Sequence, residues 1–176
     1  MALARLFAGR SGLTAGRKLY LAAVEQARRP AFYARWGVPD TADGRFELYS
    51  MHVILLLHRL KREGPAAEET GQGLFDAYVK SLDDAMREAG VGDLSVGRKM
   101  RGLGSAFMGR IKGYDAALAA LPDAAELRAL VARTVYGGDE AGAERLTDYV
   151  AGTHARLAAE PVKTLLEGRP VWGEAE

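Results

Sequence analysis

His52, His58 and His154 are the residues best suited by type to metal or proton chemistry, and their spacing argues against it. A helical metal pair needs ligands three or four positions apart, so that both project from one face. His52 and His58 are six apart and His154 lies far along the chain, so all three read as core or surface residues and no metal is expected. Carboxylates come next: Asp76 with Asp84, or Glu47 with Asp43, could share a pocket, and Asp76, Asp84 or Glu47 could then act as a general base. Acidic helices offer such pairs by chance. Gly102-Leu103-Gly104 follows no strand, and no Gly-Lys-Ser/Thr phosphate loop is present. With no cysteine, thiolate metal sites, disulfides and a cysteine nucleophile are excluded. No catalytic residue and no cofactor are expected.

A different mixture stands out between Arg28 and Glu47: Arg28, Pro30, Phe32, Tyr33, Gly37, Val38, Pro39, Asp40, Thr41, Gly44, Arg45, Phe46 and Glu47. A core needs no arginines and a solvated surface needs no rings. The combination suits a shaped surface on which aromatic groups give contact area and charges fix orientation. Charge is also distributed in blocks. Residues 1–62 carry 11 basic against 4 acidic side chains, residues 63–93 carry 2 against 8, residues 94–113 carry 5 against none, and residues 114–176 carry 6 against 11. The net charge of +1 therefore hides two positive segments that, folded to one side, would suit anionic lipid, nucleic acid or an acidic partner.

The elements that must position these residues are helices. Across 176 residues, 48% apolar and 27% charged, apolar positions recur in steps of three and four, and no alternating β-branched run is bounded by turn residues. The expected fold is all-α, a single-domain bundle of about six to seven helices. Residues 1–13 are expected as an N-terminal segment, mobile or on a membrane surface, residues 14–167 as the helical domain, and residues 168–176 as a tail too short and polar to pack much. A helix from about Thr14 to Arg29 should stop at Pro30. The segment Ala31 to Asp40 is rich in aromatics and ends in Gly37-Val38-Pro39-Asp40, which should form a structured turn, and Asp40, Thr41 or Asp43 should cap the next helix. Phe46 to Leu60, apolar on most of its circumference, should be central. Gly64 to Gly73 reads as a linker. Gly97, Gly102, Gly104, Gly109 and Gly113 fall inside one helix, each at a cost of up to about 1 kcal/mol against alanine, so a neighbouring helix or a ligand should approach its backbone closely. Met51 to Leu57 is the longest apolar run and His52 interrupts it, so no segment approaches the ~20 residues of a spanning helix. The start of the chain lacks the apolar region of a secretory signal, and an intracellular protein is expected.

Three strings carry a family resemblance. Val24-Glu25-Gln26-Ala27-Arg28-Arg29-Pro30-Ala31-Phe32-Tyr33 is followed by Gly37-Val38-Pro39-Asp40-Thr41-Ala42-Asp43-Gly44-Arg45-Phe46-Glu47, and later by Ser95-Val96-Gly97-Arg98-Lys99-Met100 with Phe107-Met108-Gly109-Arg110. Over roughly Leu19 to Leu118 the chain resembles the ubiquinol-cytochrome c chaperone family, whose members assist assembly of the respiratory ubiquinol-cytochrome c reductase by attending to newly made cytochrome b. The resemblance implies an α-helical protein without catalytic activity, peripheral at the cytoplasmic face of a bacterial inner membrane, with nascent cytochrome b as partner and no direct nucleic-acid contact. Mitochondrial relatives have a longer N-terminal portion, which this chain is expected to lack, and work with a small partner subunit, whose need here the resemblance leaves open.

On that basis Phe32, Tyr33, Phe46, Met100, Phe107 and Tyr114 should give contact area around Pro39. Arg28, Arg45, Lys99 and Arg110 should supply charge, with Asp40 or Glu47 orienting them. A second reading is a bundle that carries a quinone, haem or lipid. An enclosed apolar cavity would favour the carrier, whereas an open groove bordered by cations would favour a polypeptide client. The client reading requires the stretch around Pro39 and the basic stretch near Met100 to converge on one face.

Overall fold

A computed structural model describes residues 2–175, and their side chains except at 2–11, 93 and 94. The chain runs α1 (Ala2–Ala27), α2 (Pro30–Ala34), α3 (Ala42–Leu60), α4 (Pro65–Glu88), α5 (Asp93–Ala119), α6 (Ala125–Val135), α7 (Glu140–Ala159) and α8 (Val162–Leu166). Six are long and two have five residues each, and among the described residues no strand is formed, so the all-α bundle is as expected. The expected role for residues 1–13 concerns side chains that lie, up to residue 11, outside those described.

Helix α3 is the centre. Leu48, Met51, Val53, Ile54, Leu55 and Leu56 are all within 2% of complete burial, and α1, α4, α5, α6, α7 and α8 pack around them. Thr41 caps this helix, its side-chain oxygen accepting from the Gly44 amide at 3.1 Å. Pro30 does more than stop α1. It opens α2 at the first helical position, where its missing N–H leaves nothing unpaired, so a short helix precedes the expected turn at Gly37–Asp40.

Two expectations about glycine are corrected. The stretch read as a linker is the first half of α4, and its small residues let α4 lie against α1. A Cβ added to Gly16 would sit 2.3 Å from the Leu74 nitrogen, and one on Gly73 would sit 2.9 Å from the Leu13 Cα. Composition alone cannot separate a flexible linker from a close crossing, because both require small side chains. In α5 the reverse holds: an added Cβ at Gly102, Gly104 or Gly109 would meet nothing within 4 Å, and only Gly113 faces a packed neighbour, the Leu130 side chain at 3.1 Å.

The tail also packs, contrary to expectation. Trp172 lies edge-on to His52 at 5.1 Å between centroids, and the Gly173 amide donates to Thr153 Oγ1 at 3.1 Å. Its partners are the rings beneath it. Phe32, Trp36, His52 and Tyr149 contact one another at centroid distances of 5.0 to 5.7 Å, in the edge-on and tilted arrangements that aromatic quadrupoles favour.

Inside this cluster the polar atoms are matched. His52 is completely buried, and burial pushes its pKa down to about 4, so the ring is neutral. Nδ1 lies 2.7 Å from the Leu48 carbonyl, which can only accept, so Nδ1 carries the proton. Nε2 therefore accepts from the Tyr149 hydroxyl at 2.8 Å, and Gln26 Nε2 donates to that hydroxyl at 3.0 Å.

Two outcomes follow from these contacts. Gly16→Ala should destabilise the protein by about 3 kcal/mol or more through backbone overpacking, whereas Gly104→Ala should stabilise it by about 0.5 to 1 kcal/mol, both read from urea unfolding. Because the unfolded chain takes up the His52 proton near pH 6.5 and the folded one only near 4, stability should fall as pH drops through that window. The loss should reach about 2 kcal/mol by pH 5, and His52→Gln should remove that part of the slope.

Candidate functional site

The enclosure of α3 is incomplete at its N-terminal turns. There Ala42, Asp43 and Phe46 form one wall of a groove, Leu82, Ala85 and Met86 of α4 a second, and Lys99, Gly102 and Leu103 of α5 a third. Ala89 and Val91 of the α4–α5 connection complete the lining. The groove has a volume of about 500 Å³ and is open to solvent. Its lining is mostly apolar, with the exposed Lys99 and Asp43 on different walls. Such a surface can take apolar side chains and orient a charged neighbour.

The groove brings the two stretches singled out by sequence onto one face, since Phe46 comes from the first and Lys99 from the second. Beside it, Arg110 of α5 grips Glu47 of α3 with both ends of its fork, Nε to Oε2 at 2.9 Å and Nη2 to Oε1 at 2.7 Å. Both are largely covered, the side chains being 28% and 12% exposed. Arg110 is expected to supply charge with Asp40 or Glu47 as orienting group; Glu47 does hold it, and in doing so neutralises it. The pair is an interhelical clamp that sets the spacing of α3 and α5.

The remaining residues divide between core and surface. Phe32, Phe107 and Tyr114 are no more than 2% exposed, so the expectation that they give contact area is corrected. Phe107 stacks on Tyr78 at 4.7 Å, and the Tyr78 hydroxyl in turn pairs with Ser50 at 2.7 Å. Met100 is half-buried on α5 and outside the groove lining.

A separate patch joins the end of α1 to α3. Arg28 donates to the Tyr49 hydroxyl at 3.1 Å, and the half-buried Tyr33 donates its hydroxyl proton to the Ala27 carbonyl at 2.9 Å. Burial raises the Tyr33 pKa to about 12, so the hydroxyl keeps its proton. Pro39 is exposed. Asp40 and Arg45 pair at 2.7 Å in the open, and that hydrogen bond holds the Asp40 carboxyl below its ordinary range.

Sequence reasoning missed Leu82, Met86, Val91 and Leu103 as site residues, and took Asp43 only as a helix cap or a pocket partner for Glu47. Leu82 and Met86 continue the apolar stripe of α4, and nothing in its periodicity marks where the partner helix ends and the stripe becomes surface. The three carboxylates considered for catalysis do not share a cleft. Asp76 accepts from Gln72, Asp84 pairs with Lys80 on the exposed side of α4, and Glu47 is held by Arg110. Among the described residues no three His, Asp or Glu side chains assemble as metal ligands.

Residues 34–172 match the family described as Ubiquinol-cytochrome C chaperone. Similar proteins include the Ubiquinol-cytochrome-c reductase complex assembly factor 1 of Xenopus laevis, 25% identical over 98 residues that cover 56% of this chain and 49% of that one. The Mus musculus protein of the same description is 27% identical over 136 residues, covering 76% and 45%. The chain thus spans about half the length of the curated relatives it matches. The crystal structure of the Cbp3 homolog from Brucella abortus superposes with a TM-score of 0.87 at 34% identity, over 99% of this chain and 98% of that one.

The Glu47–Arg110 clamp makes its own prediction. Arg110→Ala leaves a nearly buried carboxylate without its partner and should cost about 2 to 3 kcal/mol in urea unfolding. Adding Glu47→Gln to it should recover most of that loss, the signature of a coupled pair.

Proposed function

The chain belongs to the ubiquinol-cytochrome c chaperone family, and from that premise we propose that it is a non-enzymatic assembly chaperone holding newly made cytochrome b in the α3–α4–α5 groove. The observation that carries this reading is the open apolar groove itself, with Phe46 and Lys99 in its lining. Its open side suits a polypeptide better than an enclosed quinone, haem or lipid. The place of work is the cytoplasmic face of a bacterial inner membrane, and among the described residues no helix is long and apolar enough to cross that membrane.

The mechanism is reversible burial. Two client side chains of leucine or phenylalanine size seated in the groove contribute about 3 to 6 kcal/mol, which holds a segment without trapping it. Lys99 favours a client segment with a carboxylate or helix C-terminus beside its apolar residues. Release then needs no nucleotide, because competing burial within the assembling membrane protein exceeds what the groove offers.

A photocrosslinker placed at Met86 or Leu103 in growing cells should capture cytochrome b, and one at the exposed Arg133 of α6 should not. Lys99→Glu should leave helix content unchanged and weaken that capture several-fold. Recovery of no respiratory subunit, with reductase assembly intact after deletion of the gene, would overturn the reading.

A further inference from the structure

Helix α5 has a second face that neither the core nor the groove uses. The helical repeat places Arg98, Arg101, Ser105, Met108 and Lys112 along one outward stripe, and all five are exposed. The segment from 94 to 113 contains no acidic residue, and its one neutralised cation, Arg110, points the other way into the clamp with Glu47. None of the ion pairs formed among the described residues involves Arg98, Arg101 or Lys112. The cations of α4 behave differently: Lys80 and Arg87 each pair with an aspartate one turn away. At the middle of the stripe Met108 is 52% exposed.

We propose that this stripe docks the protein on an anionic lipid bilayer. Arg98 and Lys112 are about 21 Å apart along the axis, so the cations address a flat, extended surface rather than a point charge. Long basic side chains can reach lipid phosphates while their stems lie along the interface, and Met108 between them can enter the acyl boundary. Gly102 and Gly109 have no atom of a neighbour within 4 Å of a Cβ position, so no bulk on this side keeps the helix away from a plane. A single-stranded nucleic acid would satisfy the charges but gain nothing from the stripe, which offers no ring for a base to stack on. Gly102 of the groove lining follows Arg101 of the stripe directly and flanks it on the helix, so docking would bring the groove mouth to headgroup level, where loops of a membrane protein emerge. The docking itself stands independently of the client reading.

Purified full-length protein should co-sediment with vesicles containing about one-third phosphatidylglycerol in phosphatidylcholine, and not with phosphatidylcholine alone. Salt at about 1 M, where the screening length is about 3 Å, should release it. Each basic residue near such a surface contributes about fivefold, so Arg98→Glu, Arg101→Glu and Lys112→Glu together should weaken binding about a hundredfold or more. The same number of reversals at Arg128, Arg133 and Lys163 should change it less than about threefold. The chain has no cysteine, so Met108→Cys carrying an environment-sensitive dye reports the site in an otherwise unaltered protein, and its emission should shift blue on the anionic vesicles. The same dye at Arg133→Cys should not respond. Equal binding to both vesicle types, no binding to either, an undiminished triple variant, or a response at 133 in place of 108 would overturn the proposal. So would retention on polyuridine RNA that the triple variant loses while anionic vesicles are ignored. Capture of cytochrome b at Met86 or Leu103 is a separate readout in cells, and its absence leaves the vesicle result standing.

Discussion

Helix α3 has apolar side chains on every side, and water can cover none of its middle turns without large cost. Six other helices pack against it, and the bundle is the arrangement that encloses it. The groove follows from the same constraint. Between Ala42 and Glu47 the enclosing layer thins, because α4 is ending and α5 is beginning, and Phe46 is left half-covered. The candidate site is thus the place where the burial of the central helix is unfinished, which is why most of its lining is of the residue types that elsewhere on the same helices are core.

Polar groups set the register of this enclosure. Apolar burial is non-directional and would tolerate sliding by a residue or two. Ser50 with Tyr78 ties α3 to α4, Glu47 with Arg110 ties α3 to α5, and His52 with Tyr149 and Gln26 ties α3 to α7 and α1. Arg59 adds a fourth tie, donating to the carbonyls of Leu157 and Glu160 at the end of α7. Each of these bonds fails if its helices shift along their axes, and leaving such groups unpaired inside the core costs more than the bonds themselves gain. The tail acts in the same direction by laying Trp172 over His52 and keeping that network dry.

Charge is handled differently on the two helices that flank the groove. Along α4 both cations, Lys80 and Arg87, are spent on aspartates of the same helix, so that helix offers no free positive charge. Along α5 the one cation that meets a carboxylate within 94–113 does so inside the bundle, and the rest face outward. The basic segment visible in the sequence therefore separates into a structural clamp and a free face. The even balance of the whole chain conceals both.

Periodicity, composition and missing residue types were enough to determine that the protein is an all-α bundle with α3 at its centre, and that cysteine chemistry is excluded. They were enough because burial of an amphipathic helix is written in the spacing of its own residues. Which rings are accessible was decided by tertiary structure alone. Phe32, Phe46 and Phe107 all lie in the stretches that carry the family resemblance, and only the packing of other helices separates core from groove. The same holds for the glycines and small residues of Gly64–Gly73, which look like a linker until α1 is seen to cross them, and for Arg110, whose charge is free or spent according to where Glu47 lies. A residue's type and spacing are local properties, but exposure, close approach and neutralisation depend on what the rest of the chain brings opposite it.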